Sequence, residues 1–239
     1  MKKGKVFIVG AGPGDWELIS VKGLNTIRRA DVVLYDFLAS GELLRFAPEA
    51  AEMICVGKAD GLHLKEQAAI NRLLYAKARQ GKIVVRLKGG DPFLFSRGIE
   101  EALFLKKRGI PFEIVPGITS AFAAPQSFGI PLTRRGKQDS VAVLTGRKSS
   151  GEGLDAPDCD TLVYLMAVSN IREVIDVLLK SGRPSNTPCA FLERATMPGQ
   201  RMVSGTLASI VKKARKENVK APAVFIVGAV VGYSKKIHE

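Results

Sequence analysis

The stretch 84-VVRLKGGDPFLFSRGIEE-101 decides the fold. Residues 83–87 read as a buried strand that stops at Gly89-Gly90, followed by Asp91-Pro92 and then by Arg97, Glu100 and Glu101. A strand ending in paired glycines leaves backbone groups uncovered by any Cβ, so a ligand can lie directly against them. Asp91 suits a cap for the turn after the glycines, and Pro92 stiffens that turn. Taken alone, the pattern also fits a tight strand-to-helix turn with a solvated charged helix behind it.

Working outward, strands and helices alternate. Upstream lie a strand at 5–9 with the turn GAGPGD, a helix at 20–30, a strand at 32–35 ending in Asp36, and a short helix at 41–46. A strand at 53–56 then ends in Gly57-Lys58, and a helix at 65–80 places Ile70, Leu73, Leu74 and Ala78 on one stripe. Downstream come a helix at 98–108, a strand at 112–115, the turn PGITS and a small-residue helix at 120–127. The polar, basic LTRRGKQDS at 132–140 reads as a linker. Beyond it the chain offers strands at 141–144, 161–166, 189–192 and 223–227, and RMVSG as an edge strand. An amphipathic helix spans 171–179, and a last helix carries Leu207 to Ala214. Alternation of this kind predicts two α/β domains with mainly parallel sheets, 1–134 and 135–239. Ligands of open α/β sheets bind outside the carboxyl ends of strands. The turns GAGPGD, Tyr35-Asp36, Gly57-Lys58, GGDP and PGITS should therefore line one crevice, with the second domain as its far wall.

At 239 residues and 46% hydrophobic content, the chain can build two modest cores. No run reaches the ~18 apolar residues of a membrane helix. The apolar run behind Met1-Lys2-Lys3 ends in GAGPG, a first strand and its turn rather than an export signal. Cys55, Cys159 and Cys189 are far apart and form no CxxC pair, and there are two histidines. That composition predicts reduced thiols in the cytoplasm and no metal site. The net charge of +13 points to an anionic partner: nucleic acid, a membrane surface or a polycarboxylate. Basic helix faces such as Lys212, Lys213, Arg215 and Lys216 also serve plain solvation. Without an aromatic RNA-binding strand, zinc-finger spacing or a long basic tail, nucleic acid ranks second.

GAGPG at 10–14 is not the GxGxxG dinucleotide fingerprint, because Pro13 removes an N–H and the third glycine is misplaced. Asp31 or Asp36 stands near the distance of a ribose-binding acid, so a nicotinamide enzyme stays open on spacing alone.

Together, VGAGPGD, the ADVVLYD strand, VGK with Gly61, His63, Gln67 and Ile70-Asn71, VVRLKGGDPFLF-x-RG-x-EE, VPGITSA, GIPLT-x-R and APAVFIVG resemble the tetrapyrrole methylase family. The likeness runs across nearly the whole chain and is closest to the branch that methylates uroporphyrinogen III. The KGGDPF…RG-x-EE string is specific to that branch. The dehydrogenase/ferrochelatase half of some homologous sirohaem synthases has no counterpart here, so the stand-alone form is expected.

The resemblance implies C-methylation of uroporphyrinogen III to precorrin-2 by way of precorrin-1, feeding sirohaem or cobalamin-type tetrapyrroles. It implies S-adenosylmethionine as cofactor, S-adenosylhomocysteine as product, no metal, and an active site between two α/β domains of a homodimer. A polycarboxylate substrate gives the excess of Lys and Arg a purpose, with no nucleic acid or membrane partner. Carried over by motif, Pro13, Gly89, Gly90, Asp91, Leu94, Thr119, Ser120, Met166 and Ala195 border the cofactor. Asp36 and Lys58 match the proton acceptor and donor, and Arg97, Glu100 and Arg135 grip substrate. The residues themselves also permit capping by Asp36, Thr119 and Ser120, core packing by Met166, and acetate or propionate binding by Lys58. The chain departs from the family pattern at Leu94 (usually Ile), Ser96 (Gly before Arg97), Leu165-Met166-Ala167 (Tyr-Met-Gly), Ala195 (Gly) and Gly57-Lys58-Ala59 (Gly-Lys-Arg). These bear on affinity and product pattern more than on reaction class.

Overall fold

The computed structural model describes residues 4–39, 41–57, 66–147 and 153–238. Chain contacts divide it into two units, Met1–Thr119 and Ser120–Glu239. The sequence reading set its boundary at 134/135; in the structure the small-residue helix and the loop behind it group with the second unit.

In the first unit, strands β1 (Lys5–Gly10), β2 (Val32–Tyr35), β3 (Glu52–Cys55), β4 (Ile83–Lys88) and β5 (Phe112–Val115) form one sheet. Their order is β3-β2-β4-β1-β5, and every pairing is parallel. Helices α1 (Val21–Ile27), α2 (Gln67–Arg79) and α3 (Gly98–Lys107) supply the crossovers, with short 3-10 turns at Trp16–Leu18 and Gly41–Phe46. The central strands β1 and β4 are buried on both faces, which explains their nearly continuous apolar runs. Side chains alternate between faces. Val6, Ile8, Val32, Leu34 and Val84 meet Ile70, Leu74 and Ala78 of α2 and Ala102 and Leu105 of α3. Phe7, Val9, Val33, Val85 and Leu87 pack on the other face with Ile27 and Leu43. On the first of these faces β4 does something a buried parallel strand rarely does: after Val84 it places Arg86 and Lys88.

The second unit opens with α4 (Ser120–Ser127) and builds a sheet from β6 (Val141–Thr145), β7 (Thr161–Leu165), β8 (Pro188–Glu193), β9 (Arg201–Thr206) and β10 (Ala223–Val227). The order is β6-β7-β10-β8-β9. Helices α5 (Ile171–Lys180), α6 (Ile210–Lys216) and α7 (Tyr233–His238) complete it. The α/β class holds, but this sheet is mixed: only β6–β7 is parallel, and the β7–β10, β10–β8 and β8–β9 pairings are antiparallel. One reason is connection length, since the seven residues from Arg194 to Gln200 suffice for a hairpin but not for a parallel crossover. RMVSG lies in β9, at the sheet edge as expected. The core joins Leu162, Tyr164, Phe191 and Phe225 to Val174, Ile175 and Leu178 of α5.

Candidate active site

All strands of the first sheet run the same way, so their carboxyl ends share one edge, and the turns there are interlocked. Ala11 N–H donates to Lys88 O at 2.7 Å, Gly90 N–H to Gly12 O at 2.7 Å, and Gly12 N–H to Gly90 O at 3.3 Å. These bonds bind GAGPG to GGDP. A Cβ on Gly10 would stand 2.5 Å from Gly117 Cα and 2.7 Å from Gly90 O, and one on Gly117 would drive into Gly90 O, so three turns meet backbone to backbone. Real Cβ atoms do not approach that closely, and glycine is what permits the contact. On the other side, Gly89 rests against Leu38, and Gly57 against Asp36 and Phe37. The five turns therefore form one contiguous row.

The carboxylate of Asp91 is spent on this architecture. Oδ1 accepts from Phe93 N–H at 2.8 Å, the capping contact expected of it, and Oδ2 accepts from Gly117 N–H at 3.2 Å. At Gly90 both backbone groups go to Gly12, so the uncovered groups anticipated there are engaged within the chain. What Gly90 contributes is shape. Its φ of +68° is one that L side chains seldom adopt, and a Cβ built there would have Thr119 Cα, at 4.0 Å, as its nearest neighbour. The backbone there is bare and open on the side that a Cβ would take. Pro13 and Leu94 are half-buried in the flanking turns, and Thr119 precedes Ser120, the first residue of α4.

Beneath the row lies a charged cluster. Arg86 is 2% exposed and Glu101 fully buried. Arg86 uses each of its three nitrogens: Nε donates to Glu101 Oε1 at 3.0 Å, Nη1 to Leu87 O at 3.1 Å, and Nη2 to Asp36 Oδ1 at 2.6 Å. Lys88 Nζ lies 3.4 Å from Glu101 Oε1 and 4.0 Å from Asp36 Oδ2. Gln67 Nε2 reaches Glu101 Oε1 at 3.1 Å and Asn71 Oδ1 at 2.9 Å. Glu101 Oε2 is buried without a hydrogen-bond partner among the described residues. The geometry comes from periodicity. Arg86 and Lys88 continue the face of Val84, and Glu101 stands one turn before Leu105 on the buried stripe of α3. Burial pushes Lys88 below the ordinary lysine range, aided by the charge of Arg86 and opposed by Glu101 and Asp36.

Asp36 thus follows β2 at the meeting of turn row and cluster, partly exposed on one side and held by Arg86 on the other. Lys58, its expected partner, lies outside the described residues, as do Gly61 and His63. Arg97 and Glu100 sit at the start of α3 as a half-exposed bidentate pair, with Arg97 Nε 3.0 Å from each carboxylate oxygen and Nη2 2.6 Å from Oε2. The pair raises the pKa of Arg97 and holds Glu100 below its usual value. A substrate carboxylate would have to compete with Glu100 for that guanidinium.

In the second unit, β7 and β8 both run antiparallel to β10 and hence parallel to each other, so β6, β7 and β8 end at one edge. Met166 follows β7 with φ +58° and its side chain exposed. The backbone of Ala167 lies against Gly146, whose N–H donates to Leu165 O at 2.6 Å. Ala195 follows β8, flanked by Arg194 at φ +50° and Thr196 at φ +66°. Arg135 is exposed at the tip of a turn closed by Arg134 and Gln138. Of the five non-glycine residues with positive φ among the described residues, four (Phe95, Met166, Arg194, Thr196) adjoin or occupy anticipated site positions. Strained backbone of this sort clusters at functional sites.

Sequence reading missed Arg86, Lys88 and the inward role of Glu101. The signal was present: two cations at i and i+2 put both on one face of a strand otherwise fit for the core. Among the described residues no group of three or more His, Cys, Asp or Glu is placed to hold a metal ion, and no helix is long and apolar enough to cross a membrane. A shallow depression of about 350 Å³ beside Asp31 and Lys82 lies at the opposite, amino-terminal edge of the first sheet and carries no such chemistry.

A uroporphyrinogen-III C-methyltransferase of Methanocaldococcus jannaschii is 50% identical over 234 residues, covering 95% of this chain and 97% of its own. The crystal structure of a Thermus thermophilus uroporphyrin-III C-methyltransferase superposes with a TM-score of 0.84 at 41% identity, covering 98% of this chain and 96% of that one. A second structure from that organism, complexed with S-adenyl homocysteine, has a TM-score of 0.81 at 41% identity and covers 95% and 99%. The profile of the tetrapyrrole (corrin/porphyrin) methylases matches residues 5–211, and the chain belongs to that family.

Proposed function

We propose that this chain is an S-adenosylmethionine-dependent C-methyltransferase that converts uroporphyrinogen III to precorrin-2 through precorrin-1, in tetrapyrrole biosynthesis of the sirohaem or cobalamin type. The observation that carries the reading is the interlocked row of glycine turns with Asp36 beside it, in a chain half identical to an enzyme of that name. Bound S-adenosylmethionine supplies an electrophilic methyl group and leaves as S-adenosylhomocysteine. The chain does the rest by placement, because an in-line displacement from a sulfonium gains chiefly from orientation. Cofactor binding is assigned to Pro13, Gly89, Gly90, Asp91, Leu94 and Thr119 of the first unit and to Ser120, Met166 and Ala195 of the second.

Asp36 is the base. A pyrrole carbon uses its electron pair to form the new C–C bond as the sulfur–methyl bond breaks, and the pyrrole N–H proton passes to Asp36. Loss of that proton balances the methyl group gained as a cation, and Lys58 stands at the proton-donor position implied by the family pattern. Arg97 and Arg135 engage the acetate and propionate arms, which suit guanidinium forks, Glu100 meets pyrrole N–H groups, and the positive balance of the chain serves this polycarboxylate rather than nucleic acid or a membrane. The enzyme acts in the cytoplasm as a homodimer, a setting that suits its three separate thiols.

The test is transfer of labelled methyl from S-adenosylmethionine to freshly generated uroporphyrinogen III. The parent should yield singly and then doubly methylated product. Asp36→Asn should turn over ~10²–10⁴-fold more slowly while binding S-adenosylhomocysteine like the parent, the range for a lost general base. Tight NADH binding without S-adenosylhomocysteine binding would overturn the reading in favour of an oxidoreductase.

A further inference from the structure

The cluster beneath the turns has a direction. Glu101 Oε1 gathers three donors, Arg86 Nε, Lys88 Nζ and Gln67 Nε2. Arg86 in turn has Nη1 tied to the backbone of Leu87 and only Nη2 directed outward, at Asp36. A guanidinium is planar, so fixing Nε and Nη1 fixes where Nη2 points. Among the four charged residues of this cluster, Asp36 is the most accessible; its side chain is 28% exposed against 2% for Arg86, 6% for Lys88 and none for Glu101. An exposed aspartate at a strand end would ordinarily rotate among rotamers. Here one oxygen is held by Arg86, and the second faces Lys88 at 4.0 Å. Two formal cations and two formal anions balance, so removing the buried anion leaves Arg86 and Lys88 with Asp36 as their single carboxylate. Asp36 would then be drawn inward, away from a substrate.

We propose that Glu101 is a positioning residue for the reaction: by anchoring Arg86 and Lys88 from below, it sets the orientation of the Asp36 carboxylate that receives the proton. The inference rests on the reading of Asp36 as base. It assigns Glu101 no contact with substrate or cofactor. Gln67 belongs to the same device, since its amide bridges Glu101 to Asn71 on α2 and keeps the glutamate from swinging.

The experiment is single-turnover methyl transfer by Glu101→Gln, Asp36→Asn and the double variant, beside calorimetric titration with S-adenosylhomocysteine. Glu101→Gln should lower kcat by ~10–100-fold, part of what a general base contributes. KM for uroporphyrinogen III and affinity for S-adenosylhomocysteine should stay within about threefold. In the Asp36→Asn background the same change should cost less than about threefold, because residues acting as a unit are non-additive. A merely structural role would lower both affinities together and act equally in either background. Glu101→Gln with parental kcat overturns the proposal, as does full additivity with Asp36→Asn. Full turnover by Asp36→Asn alone would instead remove the base itself, a separate failure. Should Glu101→Gln not fold, Arg86→Lys keeps the charge but loses the fork. It should show the same fall in kcat at unchanged S-adenosylhomocysteine affinity, and parental kcat there overturns the proposal equally.

Discussion

The carboxyl edges of the two sheets meet the same demand with opposite residues. In the first sheet the turns approach one another so closely that Gly10 and Gly117 have no room for a Cβ. In the second, the corresponding turns force side chains into the left-handed region at Met166, Arg194 and Thr196. Close glycine contacts predominate at the first edge, with Gly146 against Ala167 the counterpart at the second, and left-handed residues bearing side chains predominate at the second, with Phe95 the counterpart at the first. The interiors differ likewise. Under the first edge lie Arg86, Lys88 and Glu101, while the second sheet packs Tyr164, Phe191 and Phe225 on an apolar helix face. Among the described residues the first edge covers two buried cations and a buried anion, whereas the second has one buried carboxylate, Glu193, paired with the half-exposed Arg201; buried ion pairs are costly enough that the larger cluster asks for a use.

The contrast is broken most severely at Gly117. Gly117→Ala drives a methyl group into Gly90 O and Gly10 Cα. It should destabilise the protein by about 1–3 kcal/mol, the range for overpacking, measured by denaturant unfolding. It should also weaken S-adenosylhomocysteine by roughly tenfold or more, since about 1.4 kcal/mol is a factor of ten. The mirror experiment in the second unit is Met166→Gly. Relief of the left-handed strain, about 1–2 kcal/mol, offsets the added freedom of glycine, about 0.5–1 kcal/mol. Stability should therefore change by less than about 1 kcal/mol. Equal destabilisation by both substitutions would erase the distinction between the edges.

A smaller effect sharpens the distinction between buried and surface charge within the first unit. Glu113 on β5 pairs with Lys22, and with Lys5 at 2.6 Å, and these bonds bring its carboxyl down to about 2. A depressed carboxylate contributes stability that is complete above its unfolded value near 4.5 and is lost as pH falls toward 2. Glu113→Gln should flatten the stability profile over that acid window and leave pH 7 turnover unchanged. All three side chains are partly exposed, so the stability contribution at neutral pH should stay below about 1 kcal/mol. A loss several times larger would mean that surface charge, not the cluster around Glu101, dominates the electrostatics of this unit.

The first edge was legible in the sequence because glycine is conspicuous: GAGPG, GGDP and PGITS mark their own turns, and alternating elements put them together. The cap by Asp91 was legible for the same local reason. The second edge was not, because left-handed Met166, Arg194 and Thr196 look like ordinary residues until tertiary packing sets their backbone. The antiparallel pairings of β10 were hidden too, since strand direction depends on where a crossover lands. Arg86 was overlooked because an apolar run was read through it, although Arg86 and Lys88 two apart already placed both cations on one face. The bond between Arg97 and Glu100, both expected to grip substrate, was not anticipated, although their i, i+3 spacing allows it.

The central claim is that ligand lies against the carboxyl-edge turns of the first sheet. Amide hydrogen exchange with and without saturating S-adenosylhomocysteine tests it directly. Gly89, Gly90, Asp91, Thr119 and Ser120 should exchange at least about tenfold more slowly in the complex, with no change at Asp31 and Lys82 on the opposite edge, because bound backbone opens less often. Protection at Asp31 and Lys82, or none at the glycine turns under saturation, would contradict the account.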